Sequence, residues 1–280
     1  HDETDSHSLT SDSIHIIRAD ADGNLWLGIL GGGLNKFDLE NGVVVKHYAH
    51  DPDDPRSLSC DGIQGIDTDP QGRIWIGMSG TGLDMFDPED ESFTHYSHDP
   101  DDPNSLAVNW LLVVYVDSHG QVRAGGEGGL SRLDPETKRF TNYYADPAGL
   151  SNGTVHAIYE DHSGIFWFGT NEGLNRFDPA TRQFKVYRQK DGLAGDSVSA
   201  MIEDSRGKLW ISTNNGLSRF DTETGRFRNY DALDGLQSNR FLRGAAYKGS
   251  EGELFFGGIN GFNVFQPDAL TDNPYIPPVV

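Results

Sequence analysis

Apolar residues along this chain come in short runs rich in β-branched and aromatic side chains, each closed by Gly, Asp, Asn or Pro. "VSAMI" (198–202), "KLWIS" (208–212), "LSRF" (217–220) and "RFRNY" (226–230) are typical. Runs of this length between turn residues predict strands rather than helices. The four runs predict four strands, A to D, and the set recurs along the chain. Aligned on the strand B aromatic, the repeats carry Trp26, Trp75, Arg123, Trp167, Trp210 and Phe255. Aligned on Gly-Leu they carry Gly33, Gly82, Gly129, Gly173, Gly216 and Gly261, spaced by 49, 47, 44, 43 and 45 residues. Six repeats of this period signal propeller blades or a solenoid.

The turns have their own chemistry. Asp-x-x-Gly precedes the aromatic at Asp20, Asp69, Asp117, Asp161 and Asp204. There Asp closes an Asx turn and Gly takes positive φ, which predicts the A-to-B hairpin. Asp-Pro, as in "FDPAT" (177–181), marks the next corner, because Pro presets φ but cannot continue a central strand. Four-stranded units of this kind bury both faces only by stacking on neighbours, so the strand B aromatic is expected between adjacent blades. Full burial of such a side chain contributes about 1.5–3 kcal/mol.

The pattern GxLWIGTxxGLxRFDPxTGxFxxY followed by DGLxxxxV, seen in "GKLWISTNNGLSRFDTETGRFRNY" (207–230) and "GIFWFGTNEGLNRFDPATRQFKVY" (164–187), resembles the two-component regulator propeller repeat. The resemblance covers nearly the whole chain. It implies an extracytoplasmic, periplasmic sensor region of a bacterial hybrid sensor kinase or related receptor, in some relatives one that recognises polysaccharide breakdown products. The family's usual architecture is two seven-bladed propellers, a β-sandwich, a membrane helix and a cytoplasmic signalling module. This chain has six repeats.

The expected fold is therefore an all-β propeller over 1–270, with four-stranded repeats near 1–48, 49–96, 97–144, 145–188, 189–230 and 231–267. A tail, 271–280, leads towards a following domain, so the chain reads as a fragment of a larger propeller assembly. Strand D of the first five repeats ends in Tyr48, Tyr96, Tyr143, Tyr187 or Tyr230, but no F-x-x-Y segment follows Phe265. Either Tyr275 to Val280 supplies a poor strand, or strand C of the last blade is an open edge that invites weak self-association.

Charge narrows the partners. With 22 Lys and Arg against 43 Asp and Glu, the net charge is -21. Counterion release therefore cannot drive binding to nucleic acid, and anionic lipid is a poor partner. No apolar run approaches the roughly 20 residues of a membrane helix, so no membrane contact by this segment is expected. The single cysteine, Cys60, excludes an internal disulfide.

Propeller function sits on the B-to-C and D-to-A loops, so residues that break the repeat there are the candidates. The fourth position after each Ser-Leu or Gly-Leu is Ser13, Gly62, Trp110, Thr154, Ser197 or Arg240. Trp110 and Arg240 stand out as an aromatic platform and a guanidinium, suited to stacking on a sugar and to a bidentate grip on an acidic one. The plainer reading is that Trp110 plugs a channel mouth and Arg240 pairs with a carboxylate. His15 and His156, two residues further on, are placed to line the channel. Asn171 and Asn214, in "TNEG" and "TNNG", can bond hydroxyls but are also ordinary turn residues. Arg123, in place of a Trp, needs a partner if buried: Glu127 is near in sequence, or the blade is locally exposed.

Other motifs fall away. "HYAHDPDDP" (47–55) and "HYSHDPDDP" (95–103) hold His pairs three apart, which face opposite sides of an extended chain, and "DADG" (20–23) lacks the remaining ligands of a calcium loop. "GILGGGLNKFD" (28–38) lacks Gly-Lys-Ser/Thr, and "GMSGTG" (77–82) is not a nucleophile elbow. No metal, cofactor or catalytic residue is expected. The leading reading is a ligand-sensing module for a small molecule or oligosaccharide, joined to the rest of a receptor. A propeller enzyme of lyase or glycosidase type and a protein-interaction scaffold are the rivals.

Overall fold

The computed structural model describes residues 1–2, 4–5 and 7–270. Each Asp-x-x-Gly corner closes in one way. In blade five, Asp204 Oδ1 accepts the backbone N–H groups of Arg206 and Lys208, both at 2.9 Å, while Gly207 takes φ +73°. The carboxylate's other oxygen accepts the indole N–H of Trp210, six residues on and across the hairpin, at 2.9 Å. The same bond joins Asp20 to Trp26 at 3.1 Å, Asp69 to Trp75 at 2.9 Å and Asp161 to Trp167 at 2.7 Å. A turn former is thus also the acceptor that lets an indole nitrogen be buried.

These hairpins grow into antiparallel sheets in chain order: blade one over Ile14–Tyr48, two over Ile63–Tyr96, three over Leu111–Tyr143, four over Val155–Tyr187 and five over Val198–Tyr230. Among the described residues the sixth sheet has three strands, A (Phe241–Lys248), B (Leu254–Gly258) and C (Gly261–Phe265). The fold is a β-propeller of six blades, as expected. Strand C of that blade leaves Phe262 65% and Val264 52% exposed. The Tyr275–Val280 segment lies outside the described residues.

Two compact units divide the chain, residues 1–186 and 187–280. In the first, the strand B indoles of blades one and two are inserted against the next blade. Trp26 stacks on its own blade's Tyr48 and joins a core with Ile63, Ile76 and Phe86 of blade two. Trp75 stacks on Tyr96 and packs with Leu111, Val122 and Phe140 of blade three. In the second unit, Trp210 is fully buried between Tyr230 and blade six's Leu254, Phe256 and Phe265. Strand C begins on a glycine because the chains meet closely there: at Gly216, φ +108°, an added Cβ would lie 2.5 Å from the Tyr230 carbonyl oxygen.

Arg123 corrects one expectation. It is buried, not at an exposed blade, and its partner is Asp117 rather than Glu127. The guanidinium takes the indole's place in the corner and lies 3.6 Å from the centroid of Phe166 in blade four. A cation over a ring face and a carboxylate beside it together offset the desolvation of the buried charge. A second tie joins three blades near the ends of their A strands. Asp67 accepts from Arg18 of blade one at 2.6 Å and from the backbone N–H of Val116 of blade three at 2.8 Å. Burial raises the Asp67 pKa above the usual carboxylate value, and Arg18 opposes that shift.

Truncating the fully buried ring is the direct test of this packing. Trp210→Ala should cost about 3–5 kcal/mol in urea unfolding. A loss below about 1 kcal/mol would contradict the burial of Trp210 between blades.

Candidate functional site

The loops that carry the candidate residues are pinned by a polar position on strand C, the third residue of the Gly-Leu run, buried in blades one to five and half-buried in blade six. It is Asn35, Asp84, Ser131, Asn175, Ser218 or Asn263, and in every repeat its side chain accepts the backbone N–H that follows the loop leucine. The donors are Thr10, Ser59, Ala107, Ser151, Ala194 and Gln237, at 2.7–3.3 Å. A neighbouring strand D side chain completes the anchor in three blades. His95 Nδ1 lies 2.7 Å from Asp84, and Asn142 and Asn229 accept the hydroxyls of Ser131 and Ser218. The regular small polar residue after Gly-Leu was visible in the sequence, but its role depends on a loop 24 to 26 residues earlier in the chain.

The histidines of the repeated loop phrase serve the same fixing purpose. His50 and His98 place Nδ1 2.7 Å from the carbonyls of Leu58 and Leu106, and His47 places Nε2 3.0 Å from the Gly32 carbonyl. Among the described residues, no three His, Cys, Asp or Glu side chains cluster in a way that could hold a metal ion.

On this frame the repeat-breaking residues stand where the alignment predicts, one residue before strand A. Strand A of blade three is Leu111–Val116 and that of blade six is Phe241–Lys248. The carbonyl of this position accepts the N–H of the blade's own B-to-C loop, from Leu30, Ser79, Glu127, Asn214 and Ile259 to Ser13, Gly62, Trp110, Ser197 and Arg240. Trp110 is 46% exposed, and its ring lies over Gly80 in the B-to-C loop of blade two. A bridge pairs it with Ser79, and a second bridge pairs Glu127 with Thr154. Ser79, Trp110, Glu127 and Thr154 therefore form a continuous hydrogen-bonded rim across blades two, three and four.

Next along this rim, the structure brings two predicted residues together. The His156 ring is buried, with Nε2 2.6 Å from the exposed Asn171 side chain. His15 is exposed and reaches across to the Ile63 carbonyl of blade two at 3.1 Å, which makes it an inter-blade tie. Trp110, His15, His156 and Asn171 belong to the first unit, Asn214 and Arg240 to the second. Asn214 is exposed at the B-to-C turn of blade five. Arg240 is exposed, and its guanidinium has no ion-pair partner among the described residues.

Residues 149–172 and 192–215 match the two component regulator propeller family. The protein is a β-propeller, and two of its repeats, in blades four and five, match the two-component regulator type. Among solved structures, an extracellular domain described as that of a hybrid two component system of B. thetaiotaomicron is 27% identical over 97% of this chain, with TM-score 0.82. PorZ, a surface component of the type-IX secretion system of Porphyromonas gingivalis, is 18% identical over 91% of the chain, with TM-score 0.69. The chain spans 36% and 38% of those two structures. Virginiamycin B lyase from Staphylococcus aureus is 13% identical over 92% of this chain and 86% of its own, with TM-score 0.67. The last two likenesses are of fold alone. A comparison with curated proteins finds no match. No helix among the described residues is long and apolar enough to cross a membrane.

The loop anchor has a pH signature. The hydrogen bond to Asp84 raises the His95 pKa above its ordinary 6.5, against partial desolvation. A raised folded-state pKa means stabilisation that is complete below 6.5 and lost as pH rises through the folded value. His95→Asn, which copies the residue at this position in blades three and five, should flatten the fall in stability between about pH 6 and about pH 9. Denaturation midpoints across that range check it, and identical pH profiles for variant and wild type would refute it.

Proposed function

We propose that this chain is the periplasmic ligand-sensing module of a bacterial two-component or related receptor, and that it binds an oligosaccharide on its loop face. The observation that carries the reading is Trp110. A half-exposed indole occupies a position held elsewhere by Ser, Gly or Thr, apart from Arg240, and it sits on a hydrogen-bonded rim with Asn171 and His156 further along. An exposed aromatic face flanked by amide and imidazole groups suits a sugar ring, whose apolar face stacks while its hydroxyls bond. The regulator-type repeats and the 27% identical extracellular domain support the signalling role. The propeller binds its ligand without turning it over. Occupancy favours one arrangement of the blades, and the remainder of the receptor reads that population shift.

The exposed edge of blade six supports a subsidiary reading, weak self-association through strand C. Phe262 and Val264 are exposed there, and among the described residues no strand pairs with the outer edge of strand C. Light scattering should show a mass that rises with concentration, and a strictly monomeric profile at high concentration would reject it.

Thermal shift against neutral and acidic oligosaccharides tests the main reading. A ligand at about 100 times its Kd stabilises the native state by about 2.7 kcal/mol, which is several degrees. Trp110→Ala, at an exposed position, should keep the unliganded melting temperature and lose the shift. A shift retained in the variant, or none across the panel, would refute sugar sensing at this rim.

A further inference from the structure

Indole rings in this propeller take cations. Lys36 Nζ lies 5.3 Å from the ring centroid of Trp26, the Arg73 guanidinium 5.9 Å from that of Trp75 and the Arg219 guanidinium 6.0 Å from that of Trp210. Each of these rings is buried, and the basic side chain that covers it comes from the same blade. The negative face of the π-system draws the positive group.

Trp110 differs from them. It is 46% exposed, and among the described residues no Lys or Arg covers its ring. The loops around it explain why. In the D-to-A and B-to-C loops of the first unit, Arg56 is the single Lys or Arg among the described residues, and its Nε lies 3.8 Å from Asp54. Carboxylates outnumber it many times over, at Asp51, Asp61, Asp99 and Asp146 among others.

One carboxylate belongs to the residue that opposes Trp110. Strand B pairs with strand A as far as Gly126 and Leu111, and one residue further the N–H of Glu127 donates to the Trp110 carbonyl at 3.0 Å. The two residues thus face each other across strands A and B of blade three, the arrangement in which cross-strand side chains act together. Glu127 is exposed, and its carboxylate bonds nothing among the described residues. Glu172, the B-to-C loop carboxylate of the next blade, is already engaged, accepting from Asn152 at 3.1 Å.

We propose that Trp110 and Glu127 form an ammonium site, and that the oligosaccharide bound on this rim carries an unacylated amino sugar. The inference rests on the sugar reading above and sharpens it. The ammonium lies against the exposed indole, as Lys36 lies over Trp26, and donates to the Glu127 carboxylate. An acetamide or a hydroxyl at the same carbon has no charge for either group to hold. A carboxylated sugar meets further carboxylates and is disfavoured, because like-charge juxtaposition rejects the wrong ligand.

The test is calorimetric titration with β-1,4-linked tetramers of glucosamine, N-acetylglucosamine and glucose, at an ionic strength held constant with sodium chloride. The glucosamine tetramer should bind about fivefold or more tightly than the glucose tetramer. Trp110→Ala should weaken both, whereas Glu127→Gln should bring the ratio of the two affinities close to one. Glu40→Gln, an exposed carboxylate at the opposite end of the blades in the same unit, should leave the ratio as it is in the parent. Equal affinities in the parent, or a preference that survives Glu127→Gln, would overturn the ammonium site while leaving sugar binding in place. Tetramethylammonium, titrated alone, separates the two readings if no tetramer binds. Saturable binding that Trp110→Ala abolishes and Glu127→Gln weakens would uphold the ammonium site without the sugar, and no such binding would overturn both.

Discussion

The hydrogen bond from a corner aspartate to the strand B side chain is the constraint on which the rest of this propeller depends. A buried indole N–H without an acceptor is costly, and so is a buried carboxylate without donors. Asp204 and Trp210 solve both problems together: the carboxylate takes two turn amides on one oxygen and the indole on the other. The repeats themselves show the coupling. Blade three exchanges Trp for Arg123, another N–H donor, and keeps Asp117. Blade six has Phe255, which has no such donor, and there the aspartate is replaced by Gly249. Donor and acceptor are kept or lost as a pair.

With each hairpin locked, the aromatic can be driven into the neighbouring blade without leaving a polar atom stranded. That packing fixes strand C, and strand C fixes the loop through its small polar residue. The consequence for function is a division of labour: the loop backbone is held by residues the repeat requires, while the fourth position after the leucine is free to vary. Serine, glycine, threonine, tryptophan and arginine all occupy it, because only its carbonyl is needed by the frame. Trp110 is therefore displayed on rigid backbone, a condition for recognising a ligand with little entropic loss.

Much of this was legible before the structure. The runs and turn clusters located the strands, and the periodic aromatics located the contacts between blades. The corner aspartates read as turn formers, and their second role was hidden because it is a cross-strand relation: residues six apart meet only once the hairpin forms. For the same reason Arg123 seemed to want Glu127, four residues along the chain, when its partner lay across the turn at Asp117. The polar strand C residue escaped notice since its hydrogen bond closes a long loop. At the candidate site, the outlying residues Trp110 and Arg240 stood out in the alignment, whereas the His156–Asn171 contact rests on register between strand A and the B-to-C loop, which spacing does not specify.

A double-mutant cycle on Asp204 and Trp210 tests the central claim most directly. Asp204→Ala, Trp210→Phe and the double variant are unfolded in urea and their stabilities compared with the parent. If carboxylate and indole are one unit, the double variant loses less than the sum of the single losses, with a coupling of about 1–3 kcal/mol. Losses that add to within about 0.5 kcal/mol would show that the two residues act independently, and the corner hydrogen bond would then not be what holds the blades in place.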